Sequence, residues 1–228
     1  IKFMGHATNV WLSHKLAPGF HEHLIARTRF LDDLIEVKAA SGVAQCVILG
    51  AGYDSRAHRL TLPPATKIFE VDQAEVQNRK RSRLSRAGAI NESVYYVPVD
   101  FSKSVLSDEL INSGFNPDKP AIFSLEGVSQ YISPSALSVL IQQIASLSQS
   151  DDSTFFLSYV DKLLVNNPKA CFGADYPNPE RRAKLVTKGS SGVGEPWISF
   201  YTSQEIEDLF SRMGFGIEAN VTLSDLNS

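Results

Sequence analysis

The sequence has little cysteine: Cys46 and Cys171 are its only two thiols. That argues against a disulfide-stapled scaffold and fits a reducing compartment, so a cytoplasmic location is expected. Cys46 sits in the apolar run QCVIL, where a thiol serves as a small core side chain. Long apolar runs are absent too. No stretch approaches the roughly 18 residues of a membrane span, and no charged-then-apolar leader opens the chain, so no membrane partner is expected. Neither sign of charge is in excess: 22 Lys and Arg against 25 Asp and Glu leave a net charge of −3, and a nucleic-acid partner would want a basic surplus. Histidine is scarce, with none after His58. Together with the absence of a GxSxG elbow, this argues against a serine acyl hydrolase with a distal histidine base. His14, His21 and His23 lack the i, i+4 spacing of a zinc-binding helix and have no acidic or cysteine cluster beside them, so no metal is expected.

What is present is the material for one large domain: 228 residues, 43% of them hydrophobic, enough to bury a core unaided. FHEHLIARTRFLDDLIEVKAA spaces its apolar residues at three and four, the pattern of an amphipathic helix or helix pair. AQCVILG follows as a continuous apolar strand, the kind buried on both faces of a parallel sheet. Further strands are expected at KIFEVD, SVYYVPVD, AIFSLEG, STFFLSYV and FGIEANVTL. Between them come helices at Asp54 to Leu60, at QAEVQNRKRSRLSRAG ending on Gly88, near residues 103–113, at SPSALSVLIQQIASL with Ser133 as N-cap and Pro134 first in the helix, and at SQEIEDLFSRMG with Ser203 as N-cap and Gly214 as stop. Strands alternating with helices predict an α/β fold with a doubly wound, mostly parallel, Rossmann-like sheet. Residues 161–199, rich in Pro, Gly and Asn, break the rhythm and read as an inserted lid. The expected organisation is a helical cap over 1–40, a cofactor-binding core over 41–160, that insertion, and a C-terminal helix and strand over 200–228. Arg79, Lys80, Arg81, Arg83 and Arg86 read as a solvated helix face.

In such a sheet, ligands sit at the carboxyl ends of the strands where strand order reverses. Gly50 and Gly52, with Ala51 between them, end the first strand, where bare backbone turns tightly and admits a ligand. Asp72 ends the second strand 20 residues after Gly52, the place from which a carboxylate holds ribose hydroxyls. A pyrophosphate would want a third glycine and a helix start free of negative charge. Here Ser55 and Asp54 stand there, which favours a ligand whose end near the turn carries an ammonium group. S-adenosylmethionine has that composition. At this level a nicotinamide-dependent, NAD(P)-linked oxidoreductase and a non-catalytic nucleoside-binding module stay open as alternatives.

ARTRFLDDLI, VILGAGYDSRAHRL, FEVDQAEVQNRKRSRL, VPVDF and SLEGVSQYI, in that order and spacing, resemble the leucine carboxyl methyltransferase-like family of S-adenosylmethionine-dependent O-methyltransferases. The likeness runs from Ala26 to Tyr131 and resumes at GEP and YTSQEIEDLFSRMGF. It implies a class I methyltransferase fold and S-adenosyl-L-methionine as cofactor. It implies that Arg27 pairs with the cofactor carboxylate, that Gly50, Ala51 and Gly52 approach its methionine part, and that Asp72 holds the ribose. Asp100 would meet the adenine amino group, Phe101 the ring, and Glu126 the cofactor near the reacting methyl. Each has a plainer reading: Arg27 as a surface arginine, Asp100 as a helix N-cap, Glu126 as half of a structural salt bridge. Glu126 and Tyr131 are positioning candidates, and no catalytic base is assigned. The acceptor expected is a carboxylate on a small molecule or a peptide C-terminus, since a carboxylate is already ionised at neutral pH. Ser102 stands where the branch acting on a protein phosphatase carries an arginine, which points to the small-molecule branch. The chain opens on Ile1 and closes on LSDLNS before the last antiparallel strand this fold normally has, so a truncated sequence is expected.

Overall fold

The computed structural model describes residues 20–101, 105–172, 177–192 and 196–222. Ser102, His14 and the closing LSDLNS lie outside them. Among the described residues the first helix, α1 (Phe20–Ala40), leads into β1 (Gln45–Leu49), and four more strands follow: β2 (Lys67–Asp72), β3 (Val94–Pro98), β4 (Ala121–Leu125) and β5 (Thr154–Leu157). The sheet is five-stranded and parallel throughout, in the order β3-β2-β1-β4-β5. β1 is central, with Val47 beside Phe69 of β2 on one flank and Phe123 of β4 on the other. All five of its residues are buried, which is why QCVIL is apolar without alternation.

Side chains alternate across the sheet, so β1 feeds two cores. Val47 and Leu49 join Phe69, Phe123 and the inner faces of α4 (Leu106–Asn112), α5 (Pro134–Leu147) and α9 (Ser203–Arg212). Cys46 and Ile48 meet Leu31 and Ile35 of α1 and Ala57 of α2 (Arg56–Arg59) on the other face. Burial pushes the Cys46 thiol up to about 12, so it stays protonated and packs as an apolar group.

The expected caps mostly hold. Ser133 Oγ accepts from the Ala136 amide with Pro134 next in line, and α3 (Ala74–Ala87) stops at Gly88 in the left-handed region, φ 63°. Three features differ from expectation. The N-cap of α9 is Thr202, whose side chain and that of Glu205 form a reciprocal capping box. The insertion at 161–199 folds in part into α6 (Leu163–Asn166), α7 (Pro168–Phe172) and α8 (Pro179–Gly192). The strand expected at FGIEANVTL does not form over residues 215–222, which are irregular. Phe215 packs into the core, while Ile217 and Val221 stay exposed. Asn220 is spent on Tyr159, Ser203 and Glu207, which ties the segment to α9 instead of to a sheet edge.

Lys80 corrects the reading of α3 as a wholly solvated face. It is 3% exposed, with Nζ 2.7 Å from Glu70 Oε2 of β2. Gln77 donates to the carbonyls of Glu70 and Val97 beside it. Arg81 and Arg83 lie over the rings of Tyr96 and Tyr53.

Candidate functional site

Strand order reverses between β1 and β4, so the loops after these strands flank a crevice at their carboxyl ends. After β1, Gly50 and Gly52 both take left-handed backbone, φ 64° and 43°. Three bonds fix the turn: the Ala51 amide donates to Val71 O at 3.0 Å, the Asp54 amide to Ala51 O at 2.7 Å, and the Gly52 amide to Asp72 Oδ2 at 2.6 Å. The two glycines serve different needs. A Cβ on Gly50 would stand 2.5 Å from Val128 Cγ2, so the bare backbone there also admits the loop after β4. A Cβ on Gly52 would meet only Gly50 O at 3.8 Å; its glycine answers to the backbone angle.

The crevice opens as a cavity of about 360 Å³ whose wall includes Arg27, Gly50, Ala51, Gly52, Arg56 and Glu126. Glu126, the residue after β4, is held at both oxygens: Arg27 Nε donates to Oε1 at 2.7 Å and Arg56 Nη1 to Oε2 at 2.5 Å. Arg56 also reaches Asp54 through Nη1, Asp32 of α1 through Nε and the Thr28 carbonyl through Nη2. Arg59 closes the group with both terminal nitrogens on Asp32. Three guanidiniums thus face three carboxylates, Asp32, Asp54 and Glu126, and the site balances its own charge. Burial works against the charge of Arg56, but the carboxylates of Asp54 and Glu126 outweigh it and raise the guanidinium above its ordinary value. Asp32 mirrors this: burial opposes ionisation, and the bonds from Arg59 and Arg56 still hold it below the usual carboxylate range.

Of the residues expected at the site, the structure brings together Arg27, Gly50, Ala51, Gly52 and Glu126. Asp72 braces the turn by accepting from the Gly52 amide and is not in the cavity wall. Asp100 is half-buried and does not cap α4, whose N-cap is Val105. Phe101 faces a second hollow of about 390 Å³ with Leu106, Ala136, Val139 and Leu140. Tyr131 ends a 3-10 turn, Ser129–Tyr131, outside the cavity wall. Glu126 is a salt-bridge partner of Arg27 and Arg56 and also stands in the cavity wall. Sequence reasoning missed Asp32, Arg56 and Arg59. The signal for Arg56 was there, an arginine two residues after the aspartate that follows the glycine turn, but two of its partners lie 24 and 70 residues away.

A family model described as leucine carboxyl methyltransferase matches residues 4–145. A Bacillus subtilis relative is 32% identical over 205 residues, 89% of this chain and 64% of its own length, and carries the name of an S-adenosyl-L-methionine-dependent methyltransferase. A Mycobacterium relative of the same name is 41% identical over 130 residues, 57% of this chain and 42% of its own. The chain spans only about two fifths of the length of several such relatives. Among solved structures, a protein from Thermobifida fusca described as a methyltransferase aligns with a TM-score of 0.59 at 19% identity, covering 87% of this chain and 70% of that one. The magnesium protoporphyrin IX methyltransferase of Synechocystis, solved with bound SAH, aligns at 0.51 and 15%, covering 87% and 78%. At these identities the two structures speak for the fold. The family match covers more than half of the sequence, and on it the chain belongs to the leucine carboxyl methyltransferase family.

Proposed function

We propose that this chain carries the cofactor site of an S-adenosylmethionine-dependent O-methyltransferase acting on a carboxylate of a small molecule or a peptide C-terminus. The observation that carries the reading is the charge-balanced cluster of arginines and acids around the cavity at the switch point. A zwitterionic amino-acid end adds one cation and one anion, so it enters such a site without upsetting its balance. Arg27 would hold the ligand carboxylate, while Glu126 and Asp54 would accept from its ammonium. Asp72 would take the ribose hydroxyls with the lone pairs not used by the amides of Gly52 and Gln73. Asp100 and Phe101 would lie toward the adenine. When bound, the cofactor supplies a methyl group already activated by a sulfonium sulfur.

The acceptor follows from what the cavity wall does with its acids. Asp54 receives both the backbone amide and the Nη1 of Arg56, and Glu126 receives Arg27 and Arg56. Carboxylates engaged in this way are poor general bases, and among the described residues no histidine lines the cavity. An acceptor that is already anionic needs only alignment and exclusion of water.

Calorimetry with S-adenosylhomocysteine and NAD side by side tests the cofactor. The expected result is binding of the first alone; the reverse overturns the proposal in favour of hydride chemistry. Methyl-labelled cofactor offered with a panel of carboxylic acids and phenols then tests the acceptor. Label in a product that releases methanol in alkali is expected, because esters hydrolyse there and aryl ethers do not. Label in alkali-stable products alone would overturn the carboxylate.

A further inference from the structure

We infer that Arg56 is the positioning residue that keeps Glu126 in place while Arg27 is drawn to the ligand. The inference rests on the S-adenosylmethionine reading of the cavity. Arg27 has one guanidinium and two calls on it: it now pairs with Glu126 through Nε, and a ligand carboxylate competes for the same group. If Arg27 were the sole partner of Glu126, its departure would leave a carboxylate only 13% exposed without a cation, a costly state. Arg56 removes that conflict. Its Nη1 lies 2.5 Å from Glu126 Oε2, and the arginine itself cannot follow the ligand, because it is tied on three sides. Asp32 and the Thr28 carbonyl hold it from α1, Asp54 holds it from the glycine turn through both side chain and backbone, and its side chain is 4% exposed.

Arg56 is not itself a site for the ligand carboxylate. Three carboxylates already surround its single charge, so it offers an incoming anion no net attraction. What it offers is geometry: a planar fork that meets Asp32 of α1 through Nε and both Asp54 of the β1 loop and Glu126 at the end of β4 through Nη1. A lysine presents one point charge and cannot bridge the three.

The test separates positioning from folding by using two ligands with the same nucleoside. S-adenosylhomocysteine carries the amino-acid end; 5′-methylthioadenosine lacks it. Both are titrated by calorimetry into wild type, Arg56→Lys, Arg56→Met and Asp32→Asn. Asp32 lies outside the cavity wall, so Asp32→Asn loosens Arg56 without touching the ligand. Should Arg56→Met fail to fold, the other two variants still decide. Expected is a loss of about tenfold or more in S-adenosylhomocysteine affinity in each folded variant, with 5′-methylthioadenosine held within about twofold of wild type. Wild-type affinity for S-adenosylhomocysteine in Arg56→Lys would overturn the inference, as would parallel loss of both ligands, the mark of a merely structural residue. Wild type that binds neither ligand defeats the cofactor reading itself, and this inference with it.

Discussion

Gly50 answers to two constraints at once, and they can be separated. Its φ of 64° costs an L-residue roughly 1–2 kcal/mol, and the Val128 methyl 2.5 Å from a would-be Cβ adds roughly 1–3 kcal/mol of overpacking. Gly50→Ala should therefore lose about 2–5 kcal/mol in urea unfolding. Adding Val128→Ala should return the steric part and leave the backbone part. Gly88 is the control: its φ is 63° but nothing lies within 4 Å of a Cβ, so Gly88→Ala should cost only about 1 kcal/mol. Equal losses at both glycines would show that Val128 simply moves aside. Arg27 makes a different prediction. Arg27→Ala leaves Glu126 paired with Arg56, so melting should change little while S-adenosylhomocysteine affinity falls about tenfold or more. Unchanged affinity would remove Arg27 from the site. The glycines were legible in the sequence because strand ends and glycine turns are local signals, and Arg27 was legible only through the family resemblance. Asp32, Arg56 and Lys80 were not. Their partners arrive from other elements, so a paired buried charge and a solvated one look alike in a linear string.

At the scale of elements, α9 shows how near a local reading can come. The segment reads Thr202-Ser203-Gln204-Glu205, and both hydroxyl residues are good N-caps. The acid three positions on decides between them. Glu205 Oε2 accepts from the Thr202 amide, and Thr202 Oγ1 accepts from the Glu205 amide, a pattern that only Thr202 can complete. Glu205 also pairs with Lys162, just beyond the Asp161–Tyr201 bridge, so the cap helps join α9 to the stretch after β5. Thr202→Ala should cost about 1 kcal/mol, a fall of roughly 2–4 °C in melting temperature. Ser203→Ala should cost less, because Ser203 caps nothing and only touches Asn220 and Glu207; the opposite ranking would refute the box. The five parallel strands were legible because each is a short apolar run closed by turn residues. The short helices α6 and α7 were not, since four and five residues are too few to show a period. The 215–222 segment has strand-like alternation, but alternation does not supply a neighbouring strand for its backbone groups.

For the whole molecule, the question is how the folded state responds to acid. Among the described residues no helix is long and apolar enough to cross a membrane, and the two cores are apolar and indifferent to pH. Buried imidazoles are not. His58 has its side chain 4% exposed, with Nε2 3.5 Å from Glu70 Oε1 and 3.4 Å from the Tyr96 hydroxyl, while Nδ1 accepts from the Asn91 amide. Burial first, then the charge of Lys80, push its pKa below the ordinary 6.5, with Asp54 pulling weakly the other way. His23 is lowered as well, by burial and by Arg27, against a smaller pull from Glu126. Below about pH 6.5 the unfolded chain takes up a proton on each ring that the folded chain resists, so acid favours unfolding. The stability from these neutral histidines is present above 6.5 and is lost as pH falls through the folded values. Glu70 runs the other way: burial raises its pKa despite Lys80, so its protonation lends the folded state some stability as pH falls toward the ordinary carboxylate range. The melting temperature should therefore fall between about pH 7 and pH 5.5, and His58→Gln, which cannot take up a proton, should show a shallower fall over the same interval. A slope unchanged by that substitution would mean that His58 is protonated as readily in the fold as in the unfolded chain.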